Sequence, residues 1–451
     1  MGRLFGTDGV RGIANSELTC EIAMEIGRAA ATTISDGCRH APTFVIGCDT
    51  RASSDMLCCS LSAGLCSVGA NVINVGVVPT PAVAYLIGKY KADAGIMISA
   101  SHNPAEFNGI KIFNGSGYKL ADMLEERIEA IVLDKISTPV LAWGGKVGRV
   151  SCAENAVKDY IRHIKSTVYN SLNGLKIAID CANGSASTTA QTLFEELGAE
   201  VHILSSSPDG ENINQNCGST HLENLAEYVV SNKLDCGVAF DGDADRCLCI
   251  DEKGNVIDGD MIMAICSLDL MKRGKLNKNA VVGTILSNFG FTKFCESNNL
   301  KFVATKVGDR YVLEEMLLED YSFGGEQSGH TIFRDFATTG DGQLTAAQLL
   351  SHLNAEKRPL SELASVMTRY PQVSVNIRTT TEGKIAFYTD KIIDETIAKA
   401  KEALGSTGRI VVRPSGTEPL IRVMVEGKDE MQIDAIAKNV AGTIEEILCK
   451  K

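Results

Sequence analysis

Ala94-Gly95-Ile96-Met97-Ile98-Ser99-Ala100-Ser101-His102-Asn103-Pro104 is the stretch from which the fold can be read. The run up to Ala100 is small and apolar and predicts a short buried strand. Asn103 and Pro104 then stop the chain from continuing as regular structure. Working upstream, Thr19 to Gly37 predicts a helix: Ile22, Ile26, Ala29, Ala30 and Ile34 share a face, Thr19 can cap it and Gly37 can end it. Thr43 to Gly47 and Val72 to Val77 predict strands, Ser53 to Gly69 a helix, and Ala82 to Tyr90 a helix opened by Pro81. Downstream, about Leu120 to Asp134 is helical. Strands alternating with helices argue an α/β layer with a largely parallel sheet.

Residues 137–151, with Trp143-Gly144-Gly145 and Gly148, predict a linker, after which the pattern restarts. Leu175–Asp180, Glu200–Leu204 and Cys236–Phe240 are expected strands, with a helix over Ser185–Leu197. A third unit begins near Gly259 with strands at Ala280–Leu286 and Phe302–Lys306. From about 371 the order changes to strand, helix, strand, strand, helix: Val373–Arg378, Asp390–Leu404, Arg409–Arg413, Leu420–Glu426 and Glu430–Leu448. The expectation is four domains: 1–150, 151–255 and 256–370, all α/β with mixed sheets, and 371–451, α+β. No sequence repeat relates the first three.

The chain of 451 residues is long enough to bury several cores, since roughly 150 residues make a domain. A net charge of −12 argues against a nucleic-acid partner, which needs a basic face, but leaves room for a small anionic substrate on a local Arg/Lys cluster. The 15 cysteines include no C-x-x-C pair, and Cys58-Cys59 and Cys247/Cys249 sit like small apolar fillers, so reduced cytoplasmic thiols are expected. The N-terminal residues have no apolar leader core, and no apolar run approaches the ~18 residues of a membrane span. There is no Walker A and no G-x-G-x-x-G, hence no sequence case for ATP or NAD.

In open α/β sheets ligands sit beyond the carboxyl ends of strands. Polar loops occupy such places at Ser99–Pro104, at Asp241-Gly242-Asp243-Ala244-Asp245-Arg246 and at Gly324-Gly325-Glu326-Gln327-Ser328-Gly329-His330. A fourth, Arg413-Pro414-Ser415-Gly416-Thr417-Glu418-Pro419, joins two strands of the last domain. One loop per domain suggests a central cleft where all four meet. Asp241, Asp243 and Asp245 can converge on one hard cation through oxygen ligands; alone, they also fit a solvated acidic turn. With Glu252 they match EF-hand positions 1, 3, 5 and 12, but Arg246 stands where that loop needs Gly, and the loop lies between strands. Three carboxylates leave coordination positions open, which suits Mg²⁺ touching a phosphate. Ser101, beside His102 and ten residues before Lys111, is a candidate phosphoryl acceptor, or else part of a plain Ser/Asn turn; no G-x-S-x-G elbow surrounds it. A phosphoserine adds about −2, so the site would reach about −5, and one Mg²⁺ offsets only part of that. Arg246, Lys111 and Arg11 are the candidate further cations. Arg413 and Arg422 flank Ser415-Gly416-Thr417, a set of forks, hydroxyls and N–H donors that fits phosphate, or else a surface turn. Glu326 and Ser328, at i and i+2 of an extended segment, suit sugar hydroxyls, and His330 is an acid/base candidate or a structural histidine.

Together with Gly6-Thr7-Asp8-Gly9-Val10-Arg11-Gly12 and Asn108-Gly109-Ile110-Lys111, these four loops resemble, in order and over essentially the whole chain, the alpha-D-phosphohexomutases. Val307-Gly308-Asp309-Arg310, Gln327 and Thr338-Thr339-Gly340-Asp341-Gly342 narrow the resemblance to the branch of that family acting on glucosamine phosphate. The resemblance implies a four-domain, heart-shaped α/β mutase interconverting glucosamine 6-phosphate and glucosamine 1-phosphate, feeding UDP-N-acetylglucosamine and the cell wall. It implies phospho-Ser101 as donor, glucosamine 1,6-bisphosphate as intermediate and activator, and Mg²⁺ held by the Ser101 phosphate, Asp241, Asp243 and Asp245. Lys111, His102 or His330 would handle protons, and Arg246 and Lys111 would offset charge. A homodimer and a contact with a diadenylate cyclase are further expectations of the resemblance alone. The same chemistry on mannose or glucose phosphates, and a non-catalytic phosphosugar-binding protein, are the alternatives.

Overall fold

The computed structural model describes residues 3–6, 8–37, 39–415 and 418–448. The chain divides into two compact units: one takes in the chain up to Thr284 together with Val303–Val366, and the other Ile285–Phe302 together with the chain from Met367 on.

In the larger unit, β1 (Phe5–Gly6), β2 (Gly9–Ile13), β3 (Thr43–Cys48), β4 (Asn71–Val77), β5 (Ala94–Ile98), β6 (Phe107–Asn114) and β7 (Val150–Cys152) form one sheet in the order β1-β2-β6-β5-β3-β4-β7. The β3, β4, β5 and β7 pairings are parallel, whereas β6 runs antiparallel to both β5 and β2. Sequence periodicity missed β1, β2 and β6, because their Gly, Asn, Arg and Lys positions break the apolar run; with them the sheet is mixed, as expected for the domain as a whole, and less parallel than the alternation of strands and helices alone argued. The expected linker over 137–151 is corrected at its end, where Val150–Cys152 pairs with Val72–Asn74 as an exposed edge strand. Helix Cys20–Ser35 forms as its pattern dictates, with Thr19 accepting from the Ile22 N–H and Ala23, Ile26, Ala29 and Ala30 buried. Small residues on that face let it lie close to helix Ala52–Ser67.

A second sheet is built of β8 (Lys176–Asp180), β9 (Glu200–Leu204), β10 (Cys236–Phe240), β11 (Cys247–Asp251) and β12 (Val256–Ile257), ordered β12-β11-β10-β8-β9. The helix expected over Ser185–Leu197 is a 3₁₀ turn, Ser185–Thr188, followed by helix Ala190–Glu196. Helices Ala156–Thr167 and Glu223–Asn232, not read from the sequence, complete this layer. β13 (Ala280–Thr284), β14 (Lys301–Thr305), β15 (Phe323–Gly325) and β16 (Thr331–Phe333) form a third sheet ordered β14-β13-β15-β16. The polar loops leave these sheets after β5, between β10 and β11, and between β15 and β16.

In the smaller unit, β17 (Gln372–Arg378), β18 (Gly408–Pro414) and β19 (Leu420–Gly427) form an antiparallel sheet with β19 central. Helices Lys391–Leu404 and Glu430–Leu448 bury Ile393, Leu404, Ile433, Val440 and Ile444 with Val423 and Val425. Helix Phe289–Ser297 belongs here too. Buried Glu426 accepts from Asn288 Nδ2 at 3.1 Å and from the Phe289 N–H at 3.1 Å, and Phe289 meets Tyr370 edge to face. Among the described residues no helix is long and apolar enough to cross a membrane, and the described cysteines are free thiols.

Candidate active site

Three of the four polar loops come together in the larger unit. Ser101, just past the end of β5, is buried and has φ of +52°. Its Oγ donates to Asp241 Oδ2 at 2.6 Å and lies 3.3 Å from His102 Nδ1. Asp241 follows the last residue of β10, and the acidic loop reverses the chain into antiparallel β11, with Phe240 facing Cys247. The two loops touch at backbone level: a side chain at Gly242 would put its Cβ 2.6 Å from the Ser101 carbonyl oxygen.

Asp241, Asp243 and Asp245 are all buried, and each offers a carboxylate oxygen within 4.8 Å of the others. Like charges so crowded away from water must be compensated. Burial, then the Asp245 and Asp243 charges, push the Asp241 carboxyl up to about 8. Burial also opposes charge on Asp245, yet Lys111 and then His330 hold it well below the usual carboxylate range. Lys111, on β6, is the principal counter-ion. Its Nζ stands 2.8 Å from Asp243 Oδ2, 2.9 Å from Asp8 Oδ2 and 3.5 Å from Asp245 Oδ2. Desolvation is overcome there by these carboxylates, and the ammonium is held firmly charged. Thr80 adds a 2.6 Å hydrogen bond from its Oγ1 to Asp243 Oδ2. Asp243 Oδ1 and Asp245 Oδ1 are buried without a hydrogen-bond partner. Two buried carboxylate oxygens without a hydrogen bond, in a three-carboxylate cluster, fit a hard divalent cation, so the residues present suit a metal site.

The remaining expected groups surround this centre. His102 is driven down to about 4 by burial, with the Arg246 and Arg11 charges adding to it. Arg246 Nε lies 3.9 Å from Asp245 Oδ1. Arg11 reaches Asn103 Oδ1 at 3.3 Å and is paired with Asp8 at 2.5 Å. For His330, burial is outweighed by Asp245 and then Asp309, which raise the imidazole to about 9; its Nδ1 is 3.7 Å from Asp245 Oδ2 and its Nε2 3.5 Å from Asp309 Oδ2. The Gly340 N–H points at Nε2 from 3.0 Å and pulls the other way, since it needs a lone pair there. Glu326 Oε1 accepts from the Gly308 N–H at 3.0 Å, and burial raises its carboxyl. The expectation that Glu326 and Ser328 share a side of an extended segment is corrected. Gly329, at φ +96°, closes a turn back onto the Glu326 carbonyl, and the Glu326 N–H meets the His330 carbonyl at 2.9 Å. Ser328 is exposed at its tip, while Gln327 turns to Asp258 at 3.2 Å.

The fourth loop lies in the smaller unit. Arg413 and Arg422 face each other across β18 and β19. Burial and then the Arg422 charge lower the Arg413 guanidinium, and Arg422 pairs with Glu418. Ser415 is buried, with its carbonyl 2.7 Å from Lys384 Nζ. Gly416 and Thr417, expected phosphate contacts, lie outside the described residues. Sequence reasoning missed Thr80, Asp8, Lys119 and Asp309. Lys119 bridges Asp8 at 2.5 Å and Asp309 at 2.6 Å. Thr80 stands at the end of a strand-to-helix turn like the loops that were read, a signal available in the sequence. Asp8 lay inside a quoted motif from which only Arg11 was taken.

The models of the phosphoglucomutase/phosphomannomutase family match the chain along its length: alpha/beta/alpha domain I at residues 2–138, domain II at 158–254, domain III at 258–370 and the C-terminal domain at 374–443. The chain belongs to this family. It is 54% identical over 446 residues to the phosphoglucosamine mutase of Clostridium novyi, covering 99% of each chain. It is 55% identical over 445 residues to that of Caldanaerobacter subterraneus subsp. tengcongensis, again covering 99% of each. Among solved structures it resembles in fold a phosphoglucomutase/phosphomannomutase family protein of Burkholderia thailandensis, with a TM-score of 0.83 at 21% identity, covering 99% of this chain and 98% of that one. It also resembles Aspergillus fumigatus N-acetylphosphoglucosamine mutase, solved with GlcNAc-6P and magnesium, with a TM-score of 0.70 at 15% identity over 99% and 96% of the two chains.

Proposed function

We propose that this chain interconverts glucosamine 6-phosphate and glucosamine 1-phosphate, with phospho-Ser101 as the phosphoryl donor and glucosamine 1,6-bisphosphate as the intermediate. One observation carries the chemistry: a buried serine Oγ, 2.6 Å from one of three clustered carboxylates, with a buried lysine among them. Identity above half with phosphoglucosamine mutases over nearly the whole chain supports the sugar.

Asp241, Asp243, Asp245 and the Ser101 phosphate would hold Mg²⁺, which when bound neutralises charge on the phosphoryl group. Phosphoryl transfer is governed by positioning and electrostatics, and the protein groups serve both. In the first half-reaction a sugar hydroxyl oxygen bonds to phosphorus as the bond to Ser101 Oγ breaks. In the second, Ser101 Oγ takes back the other phosphoryl group of the bisphosphate. Ser101 Oγ has Asp241 and His102 Nδ1 within reach for the proton it gains or loses. Lys111 and Arg246 offset charge, Glu326 and Ser328 address the sugar hydroxyls, and His330 serves as acid or base near the sugar. Arg413, Ser415, Gly416, Thr417 and Arg422 grip the phosphate not in transit. We place the reaction in the cytoplasm, where free thiols persist, and we read the working form as a homodimer, testable by analytical ultracentrifugation. A contact with a diadenylate cyclase belongs to the same reading and is tested by co-purification.

The decisive experiment is a coupled mutase assay with Mg²⁺, in which glucosamine, glucose and mannose phosphates compete. We expect kcat/KM for glucosamine phosphate to lead by about tenfold or more, since a polar site discriminates strongly against a missing partner. Equal values would reduce the reading to a general phosphohexomutase. No turnover of any sugar phosphate would leave only a binding protein.

A further inference from the structure

The backbone of Ser101 is pinned at both its N–H and its C=O by groups outside the acidic centre. Its φ of +52° is a left-handed conformation that a residue with a Cβ adopts reluctantly. The Ser101 N–H donates to Ser99 Oγ at 2.9 Å, and Ser99 Oγ in turn donates to Asp49 Oδ2 at 2.6 Å. On the other side, Arg51 Nη2 donates to the carbonyls of Ser101 and Asn103, both at 2.9 Å, and Arg51 Nη1 to that of Pro104. Arg51 Nε closes the circuit on Asp49 Oδ2 at 2.9 Å, with both side chains wholly buried. From the second sheet's layer, Asn214 Nδ2 meets the same two carbonyls, Ser101 at 2.9 Å and Asn103 at 3.1 Å.

A buried guanidinium is costly, and a fold that needed only a stable turn would not require one. Here its forked donors converge on three carbonyls of a single loop, those of Ser101, Asn103 and Pro104, in the loop that carries the proposed nucleophile. With the peptide groups on either side of Ser101 held, only the side-chain torsion is left to aim Oγ at Asp241. Resting on the mutase reading above, we propose that Arg51 is a positioning residue for phosphoryl transfer: with Asp49 and Asn214 it locks the left-handed turn at Ser101, so that Oγ gives up and recovers the phosphoryl group at one place. The requirement is severe because, in that reading, the bisphosphate presents first one end and then the other to Ser101, and only the enzyme's half of the geometry is constant.

Arg51→Lys keeps a positive charge beside Asp49 but has one nitrogen and cannot span the three carbonyls. We expect its kcat to fall about 10- to 100-fold, the range for a displacement of about 1 Å at a reacting group, with KM little changed. Phosphorylation of Ser101 by glucosamine 1,6-bisphosphate, followed by intact mass, should slow by the same factor, and hydrogen exchange over residues 99–104 should rise. Asn214→Ala removes the second tether and should show the same split more mildly; it carries the test if Arg51→Lys does not fold. A folded variant with kcat near wild type, or one whose KM rises at constant kcat, overturns the proposal. Wild-type protein inert toward all sugar phosphates would instead overturn the proposed function. The exchange measurement would still decide the anchoring, because unchanged exchange over 99–104 in both variants refutes it.

Discussion

Ser101 Oγ and Asp241 Oδ2, 2.6 Å apart, join the Ser101 loop to the acidic loop. Ser101→Ala should therefore abolish turnover and bisphosphate-dependent mass gain while leaving circular dichroism unchanged; mass gain on another residue of the variant would move the nucleophile elsewhere. Ser99 is no inert neighbour, since its hydroxyl holds the Ser101 N–H. Thr80 has a comparable hold on Asp243. Thr80→Val preserves shape but removes that hydrogen bond, and supporting bonds of this kind are worth about 10- to 100-fold in metal affinity. Titration calorimetry with Mg²⁺ should show weaker binding, and an unaltered affinity would mean that Lys111 alone fixes Asp243. Ser101 and the three aspartates were legible in the sequence as candidates because each stands in a polar cluster against an apolar run, and Lys111 because it is a cation ten residues beyond Ser101. The ion pairs that surround them were not. Lys119 reaches Asp8 over 111 positions and Asp309 over 190, and no local pattern records such a pairing.

Helix Asp122–Glu129 ends on a carboxylate that fastens β1. Glu129 Oε2 accepts the N–H groups of Leu4 at 2.6 Å and Phe5 at 3.3 Å. Burial opposes the charge, but these backbone donors and Arg3 outweigh it and hold the Glu129 carboxyl below its usual range. A carboxyl depressed in the folded state stabilises above its unfolded value and loses that contribution as pH falls through the folded one. The melting temperature of wild type should thus exceed that of Glu129→Gln at neutral pH, with the gap closing below about pH 4. A gap independent of pH would assign the effect to packing. The turn from Thr338 to Gly342 is the other element whose role is positional. A Cβ at Gly340 would lie 2.4–2.5 Å from three atoms of the His330 ring. Gly340→Ala should displace that imidazole and cut kcat about tenfold or more without unfolding the protein; an unchanged rate would remove His330 from the chemistry. Apolar strands and amphipathic helices were readable because their period is their burial pattern. β6 was not, since Asn108 and Lys111 are buried by hydrogen bonds and ion pairs rather than by apolarity.

At the scale of the whole chain, the two units bear different parts of the proposed reaction. The smaller unit brings two guanidiniums, Arg413 and Arg422, to adjacent strands, and among the described residues Arg413 has no carboxylate partner. A clamp that grips phosphate alone tolerates either end of the bisphosphate. Arg413→Ala should accordingly raise KM in both directions, by roughly 10- to 150-fold for one charge-assisted hydrogen bond of about 1.5–3 kcal/mol. Steady-state kinetics of the forward and reverse reactions check this, and an unmoved KM in each would place the phosphate elsewhere. The smaller unit also has a divided origin: Ile285–Phe302 reaches it long before Met367 and the strands that follow. On the ribosome, where synthesis runs at about 5–20 residues per second, Phe289, Phe291 and Phe294 emerge on the order of ten seconds before Glu426 and the sheet exist to receive them. For that interval the nascent polypeptide carries an aromatic helix that has Phe302 beside it but neither Tyr370 nor the Glu426 strand to pack on, a natural handhold for a chaperone and a point at which a stalled or truncated translation product would aggregate.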